Sequence, residues 1–479
     1  MLHASRLRAV SALVALAALA LGVAACSEEE EPAAAETARY ATTEMRTPSP
    51  PPDPPSPPPT AVRVVDGDTA KPVRKARIVT RGKTIVAARG GIAALGVPRH
   101  LISARISAPG YAPRELRLDF RRHRVERVQL WRPALQWPIY GATPARTQVQ
   151  SGIRVRPPFR HVWRTNVNGL MEFPATVWEG IAYVHTMGGT IRAISMKNGR
   201  VLWKRRTGSL MASSPAIAPE RRVLVSTSMR PGYVTVRSLD TGRLRWRYYT
   251  GLTEPSPVIR KGIAYFGATN GNVYALDLDK HRPRWVYHGG VKITSSPALV
   301  GNRLYFGDYA GRVLALDARN GRVVWRGSAG SRVYGTVAVA GGRVFAPSVF
   351  SGLSALSARS GRLLWRVPVG AYLYSSPAAF RGRVYFGTYS GLVYSVSASS
   401  GHVLWTRPTG GRVSGAVQVV DRLVYAASLE GRTSAWNWKT GRTVWTFPHG
   451  KYVPVSGSGQ RLLIHGDKEL FAVENKRRR

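Results

Sequence analysis

Between residues 157 and 475 the hydrophobic positions fall in runs of four to seven, alternating or β-branched, and are broken by Gly, Asn or Asp. One stretch shows the order: Ser295-Ser296-Pro297-Ala298-Leu299-Val300, then Arg303-Leu304-Tyr305-Phe306-Gly307, then Gly311 to Asp317, then Gly321-Arg322-Val323-Val324-Trp325. Period-two runs of this length, bounded by turn residues, predict four short antiparallel strands per unit. Upstream, residues 61–65, 76–80, 84–88, 101–106, 114–118 and 125–130 predict six strands punctuated by Gly, Pro and Asp, a small β-sandwich over 61–130. Residues 131–156 lack such a pattern and are expected to be a linker.

The repeat is long as well as local. Trp163, Trp203, Trp246, Trp285, Trp325, Trp365, Trp405 and Trp445 lie 40, 43, 39, 40, 40, 40 and 40 residues apart. A four-stranded unit of ~40 residues repeated along a chain predicts a β-propeller blade. After Trp445 only three strands remain, in 453–456, 461–465 and 469–473, so the fourth strand of the last blade is expected from Phe159 to Asn166, around Trp163. Such a closure leaves no open sheet edge. The expected architecture is all-β: an eight-bladed propeller over 157–475 behind the sandwich.

The stretch Ala315 to Trp325, with variants ending at Trp203, Trp246, Trp285, Trp365, Trp405 and Trp445, resembles the tryptophan-docking motif of the quinoprotein-like propeller family. The resemblance implies that each indole packs on the neighbouring blade and that the turn glycine permits the tight hairpin before it. An indole burying ~150–250 Å² at ~25 cal/mol/Å² bounds each dock at roughly 4–6 kcal/mol. Two departures predict looser docks: the turn Lys280-His281-Arg282 lacks the glycine, and the motif aspartate survives only as Asp240, Asp277 and Asp317. In the sandwich, Val64-Val65-Asp66, Lys71 to Ala76 and Ala108-Pro109-Gly110-Tyr111 resemble the carboxypeptidase-regulatory-like domain, which implies a spacer without catalytic residues.

The amino terminus adds a location. Arg6 and Arg8 precede sixteen uncharged residues, Val10 to Ala25, fewer than the ~20 of a membrane-spanning helix, so residues 1–25 are expected to be an export signal. Val23-Ala24-Ala25-Cys26 resembles a bacterial lipoprotein box, which implies that Cys26 is lipidated. Residues 26–60, with Glu28 to Glu31 and nine prolines in the twelve positions from Pro48, are expected to be an extended tether of roughly 3.1 Å per residue. Cys26 is the only cysteine of the 479 residues, which excludes intrachain disulfides and any cysteine-based zinc or iron–sulfur site within one chain.

The net charge is +44, and the +31 of residues 161–479 is scattered mostly in ones and twos. The longest run of consecutive Lys and Arg is the tail, residues 476–479. This is a solvated surface, not a nucleic-acid groove, and no nucleic-acid partner is expected; attraction to anionic lipid or acidic envelope polymers is.

Two uses of the quinoprotein-like architecture compete. Dehydrogenases of the family hold pyrroloquinoline quinone over calcium, which requires several oxygen ligands and a base in the channel. Carboxylates are scarce here, and the vicinal cysteine pair common in those enzymes cannot form from one cysteine. The other use is the scaffold of the propeller lipoproteins of the outer-membrane barrel-assembly machinery. The expectation is therefore a monomeric, non-enzymatic envelope scaffold without cofactor or metal, tethered through Cys26 and binding an envelope protein or a polyanionic polymer. The dehydrogenase and a cell-wall polyanion binder are the alternatives. No propeller histidine has metal-ligand spacing, and the Ser-Ser-Pro triplets at 213–215, 295–297 and 375–377 are expected to open inner strands. The loops entering those strands carry Lys292, Arg332, Arg412 and Lys451, with Tyr334, Tyr372, Tyr374 and Tyr452, a candidate basic and aromatic rim for an anionic or peptide ligand; Glu172 and Glu254 in equivalent loops dilute its field.

Overall fold

The computed structural model describes residues 60–97 and 100–476. The export signal, Cys26, the tether up to residue 59 and the last three residues of the tail lie outside them. Two short sheets come first. Ile92–Ala94, Ala61–Asp66 and Val125–Leu130 form one; Lys83–Val86, Arg77–Thr80, Leu101–Ser107 and Arg114–Asp119 form the other. Val62, Val64, Val128 and Leu130 of the first and Ile78, Ile102, Ile106 and Leu118 of the second share one buried cluster, which alternation on both sheets produces. The strand at Ile92–Ala94 was too short to show a period of its own. The strands at 61–66 and 125–130 pair in parallel.

Among the described residues eight sheets follow, each with four antiparallel, successively paired strands, the seventh carrying a fifth that pairs in parallel. Their first strands are Thr176–Trp178, Ala216–Ala218, Val258–Arg260, Ala298–Val300, Ala338–Ala340, Ala378–Phe380, Gln418–Val420 and Val455–Ser458. The eighth sheet has three strands from the carboxy-terminal end and takes its fourth from Phe159–Asn166, where Ala472 faces Trp163. The chain is thus a β-propeller whose last sheet is completed from before its first. Within a sheet the turn from second to third strand is short and the Pro of each Ser-Ser-Pro triplet stands just ahead of the first strand, where no ladder N–H is demanded.

The fourth strands carry the tryptophans, and each indole reaches the next sheet. Nε1 of Trp163, Trp285, Trp325, Trp365 and Trp405 donates to the carbonyl thirty-three residues on, at 2.9 to 3.4 Å. The carbonyls of Ala318, Ala358 and Trp438 also accept a tyrosine hydroxyl, from Tyr265, Tyr305 and Tyr385. A glycine lies under six of the rings: a Cβ on Gly199, Gly242, Gly321, Gly361, Gly401 or Gly441 would stand 2.4 to 2.9 Å from the nearest atom of the site. These glycines serve contact as much as turn conformation. At Trp246 the missing glycine is replaced by His281 at φ 57°, whose ring lies on the indole at 4.6 Å between centroids. At Trp445 no turn joins the paired strands, and Phe159 packs edge-on at 5.0 Å.

Candidate functional site

Within the segment expected to be a linker, residues 135–150 run along the inner edges of the ring. Among the four antiparallel strands of each sheet the first pairs only with the second, so its other edge presents N–H groups toward the centre. Residues 135–150 satisfy them in turn. The N–H groups of Val177, Ile217, Leu299, Val339, Ala379 and Val419, each the second residue of its first strand, donate to the carbonyls of Trp137, Pro138, Pro144, Ala145, Thr147 and Gln148 at 2.7 to 3.0 Å. Gly459, after the eighth first strand, donates to Leu135. Val149–Gln150 then adds a parallel strand to Gln418–Val420.

The third sheet is met by a side chain. Arg146, fully buried, donates to the carbonyls of Ser256 (2.9 Å), Pro257 (3.0 Å), Pro297 (2.9 Å) and Tyr140. Burial pushes its guanidinium down to about 9. Ala142, Arg146 and Gln148 all take positive φ, from 56° to 63°, a conformation that side-chain-bearing residues hold only when surroundings fix it. Trp137, at 0% exposure, fills the space beside the first sheet.

A second inner ring is made of hydroxyls. The backbone N–H groups of Ser214, Ser256, Ser296 and Thr336 donate to the hydroxyls of Ser256, Ser296, Thr336 and Ser376, one sheet further on. The second serine of each Ser-Ser-Pro triplet is therefore a seam residue. The series stops at Ala416, and there Tyr140 Oη donates to Ser376 Oγ at 2.9 Å.

Above Tyr140 lies a cavity of about 40 Å³ lined by Phe173, Glu172, Glu254, Tyr334, Tyr374 and Tyr452 among others. Of the expected rim, the structure brings Tyr334, Tyr374 and Tyr452 to this cavity. It does not bring Lys292, Arg332, Arg412, Lys451 or Tyr372, which are absent from the lining. Lys292 stacks on Tyr309 at 4.7 Å, Arg332 on Phe350 at 5.0 Å, and Arg412 on Tyr389 at 5.3 Å while pairing with Glu430 at 2.7 Å. The cavity is acidic where a basic rim was expected, because cations on long stems lie back on exposed aromatic faces and short loop carboxylates face inward. Glu254 is 9% exposed and accepts from Tyr334 Oη at 3.2 Å. Burial raises both carboxyls, that of Glu172 to about 7 with help from the Glu254 charge. Tyr140 and Phe173, 5.2 Å apart and edge-to-face, were not foreseen; Tyr140 belongs to the segment read as linker.

These residues do not fit a quinone over calcium. The cavity brings together only two carboxylates, Glu172 and Glu254, where a calcium ion takes about six to eight oxygen ligands, and Tyr140 lines it. Among the described residues no group of three or more His, Cys, Asp or Glu is placed to hold a metal ion. A larger groove of about 720 Å³ has a separate lining, between the first short sheet and the propeller near Met196 and Ser458; it mixes Arg127, Lys197 and Arg461 with Asp68, Glu179 and Glu474. Burial raises Asp68 there to about 6.

The family described as outer membrane protein assembly factor BamB matches residues 160–288, 286–367 and 349–477. Outer membrane protein assembly factor BamB of Yersinia pestis is 29% identical over 140 residues, 26% of this chain and 35% of the relative, and that of Moranella endobia is 27% identical over the same length. These alignments span about a third of the curated relatives. Among solved structures, BamB from Moraxella catarrhalis superposes with a TM-score of 0.57 at 15% identity, over 66% of this chain and 99% of that one. Quinohemoprotein alcohol dehydrogenase from Comamonas testosteroni superposes at 0.61 and 13% identity, over 72% and 81%. At such identities the structural likeness is one of fold.

Proposed function

The chain belongs to the family of outer membrane protein assembly factor BamB, and from that membership we propose a non-catalytic, extracytoplasmic scaffold that binds an envelope protein through its propeller loops. The single observation that carries this reading is the occupied centre: with residues 135–150 bonded around the inner wall, recognition falls to outer surfaces such as the loop face. That face exposes Phe350 (61%) and Tyr372 (48%) with Arg332 and Arg412 beside them, the side-chain types that dominate binding hot spots. In this reading Cys26 carries the lipid anchor and 26–60 the tether, residues 61–130 form a separate small domain, the eight sheets are eight blades, and the protein acts as a monomer.

The test places a photo-crosslinking amino acid at Tyr372 or Phe350 in producing cells. The expected result is a discrete crosslinked envelope protein, lost when the other aromatic is changed to Ala. Crosslinks only to solvent-exposed bulk proteins, unchanged by that substitution, would overturn the reading.

A further inference from the structure

Resting on that reading of the loop face, we propose that the mouth receives one primary ammonium, presented by a protein partner and flanked on the partner by carboxylates. The charge pattern of the mouth is concentric. At its centre, Glu172 and Glu254 line a cavity with aromatic walls, and among the described residues neither makes an ion pair within 4 Å, although the Lys292 charge acts on Glu254 and the chain has 70 Lys and Arg against 26 Asp and Glu. Glu172 has no hydrogen-bond partner among the described residues either, and Glu254 has one, a tyrosine.

Around that centre stands a shell of rings: Tyr309 touches Tyr334 at 6.5 Å, Tyr334 touches Tyr374 at 5.4 Å, and Tyr374 touches Tyr389 at 5.4 Å. Outside the shell the cations Lys292, Arg332 and Arg412 lie on Tyr309, Phe350 and Tyr389. Carboxylates and π faces both select a cation at the centre, and the surrounding cations select anions beside it. The space of about 40 Å³ among these side chains is of the size of a small head group such as an ammonium. A compact ammonium suits it better than a planar guanidinium that needs a bidentate partner.

The experiment titrates the full-length protein, in detergent, with end-blocked peptides by calorimetry. The probes are Gly-Asp-Asp-Lys-Asp-Asp-Gly, the same peptide with acetyl-lysine, the same with each Asp replaced by Lys, and methylammonium chloride alone. The expected result is binding of the first, weakened by roughly tenfold or more on acetylation and by a similar factor in Glu172→Gln/Glu254→Gln protein. Equal affinity of the acetylated peptide would overturn the proposal without any change to the protein, so a misfolded variant cannot rescue or sink it. Methylammonium binding as tightly as the peptide would overturn the protein source of the ammonium, and a preference for the all-lysine peptide would overturn the flanking carboxylates. Crosslinking at Tyr372 or Phe350 reports the loop-face scaffold separately, so its persistence alongside a null titration would discard the ammonium and keep the scaffold.

Discussion

The outer and inner walls of the ring are held by opposite means. Outside, one side chain does the same thing at every seam: an indole lies on the next sheet, over a glycine at six of the eight. Inside, sixteen consecutive residues of no repeating pattern reach all eight sheets, chiefly through main-chain carbonyls. The outer wall divides its stability among many similar local contacts. The inner wall concentrates it in one segment, and damage there should be felt around the whole ring.

Replacing residues 137–148 with a Gly/Ser stretch of equal length should therefore have the largest effect. It removes the fully buried Trp137 side chain and the four bonds of Arg146, and it raises the entropic cost of ordering the backbone that carries six of the inner-edge carbonyls, together on the order of 10 kcal/mol. The cooperative urea transition should vanish or fall to very low denaturant. A midpoint close to that of the unaltered protein would show that the ring is held from outside alone.

The outer wall can be probed against itself. Trp325, 8% exposed, with its N–H bonded to Ala358 and its ring over Gly361, should cost ~3–5 kcal/mol on replacement by Ala. Trp246 is half-buried, rests on His281 and makes no indole hydrogen bond, so Trp246→Ala should cost about half as much. Urea melts of the two variants decide; equal losses would mean that the His281 replacement is as good as the glycine dock.

Acid should strike the inner wall first. His185 Nδ1 lies 2.9 Å from the Ser213 carbonyl, and His465 Nε2 accepts the N–H of Ala175; both histidines sit at seams, and burial lowers both to about 4. A histidine depressed in the folded state stabilises it fully above the unfolded value of ~6.5, and that contribution is lost as pH falls toward the folded value, at most ~3 kcal/mol for each. Glu172, raised to about 7 by burial, acts in the opposite sense: its contribution is present below the unfolded value near 4.5 and lost as pH rises through 7. Stability from urea melts should drop between pH 6.5 and 4, less steeply in His465→Gln. A flat profile in that window would place the charged imidazoles in contact with water.

The difference between the walls also explains what could be read from the chain. Indoles at a fixed period, and the glycines beneath them, are side-chain requirements and leave a mark in the sequence. The completing strand at Phe159–Asn166 was legible for the same reason, since Trp163 belongs to the series. Carbonyls of Pro144 or Gln148 demand no residue type, so the segment taken for a linker carried no sign of its role. At the mouth, residue types were legible and directions were not: Tyr334, Tyr374 and Tyr452 turn in, whereas Lys292, Arg332 and Arg412 lie on neighbouring rings and leave the cavity to Glu172 and Glu254. Choosing between those directions depends on which sheet stands next, which no single loop encodes.

The smallest predicted effect tests the inner wall where it does have a side-chain repeat. In the triplet Ser295-Ser296-Pro297 both serines are buried, yet they do different things. Ser296 Oγ accepts the N–H of Ser256 at 2.9 Å from the preceding sheet, whereas Ser295 Oγ has no partner. Replacing Ser296 by Ala strands a buried N–H and should cost ~1–2 kcal/mol, while Ser295→Ala removes a hydroxyl that already pays its desolvation unrewarded and should be neutral or slightly stabilising. The two changes delete the same atom one residue apart, so volume and propensity cancel in the difference between their urea midpoints. Equal midpoints would mean that the hydroxyl relay contributes nothing, and that the inner seams depend on residues 135–150 alone.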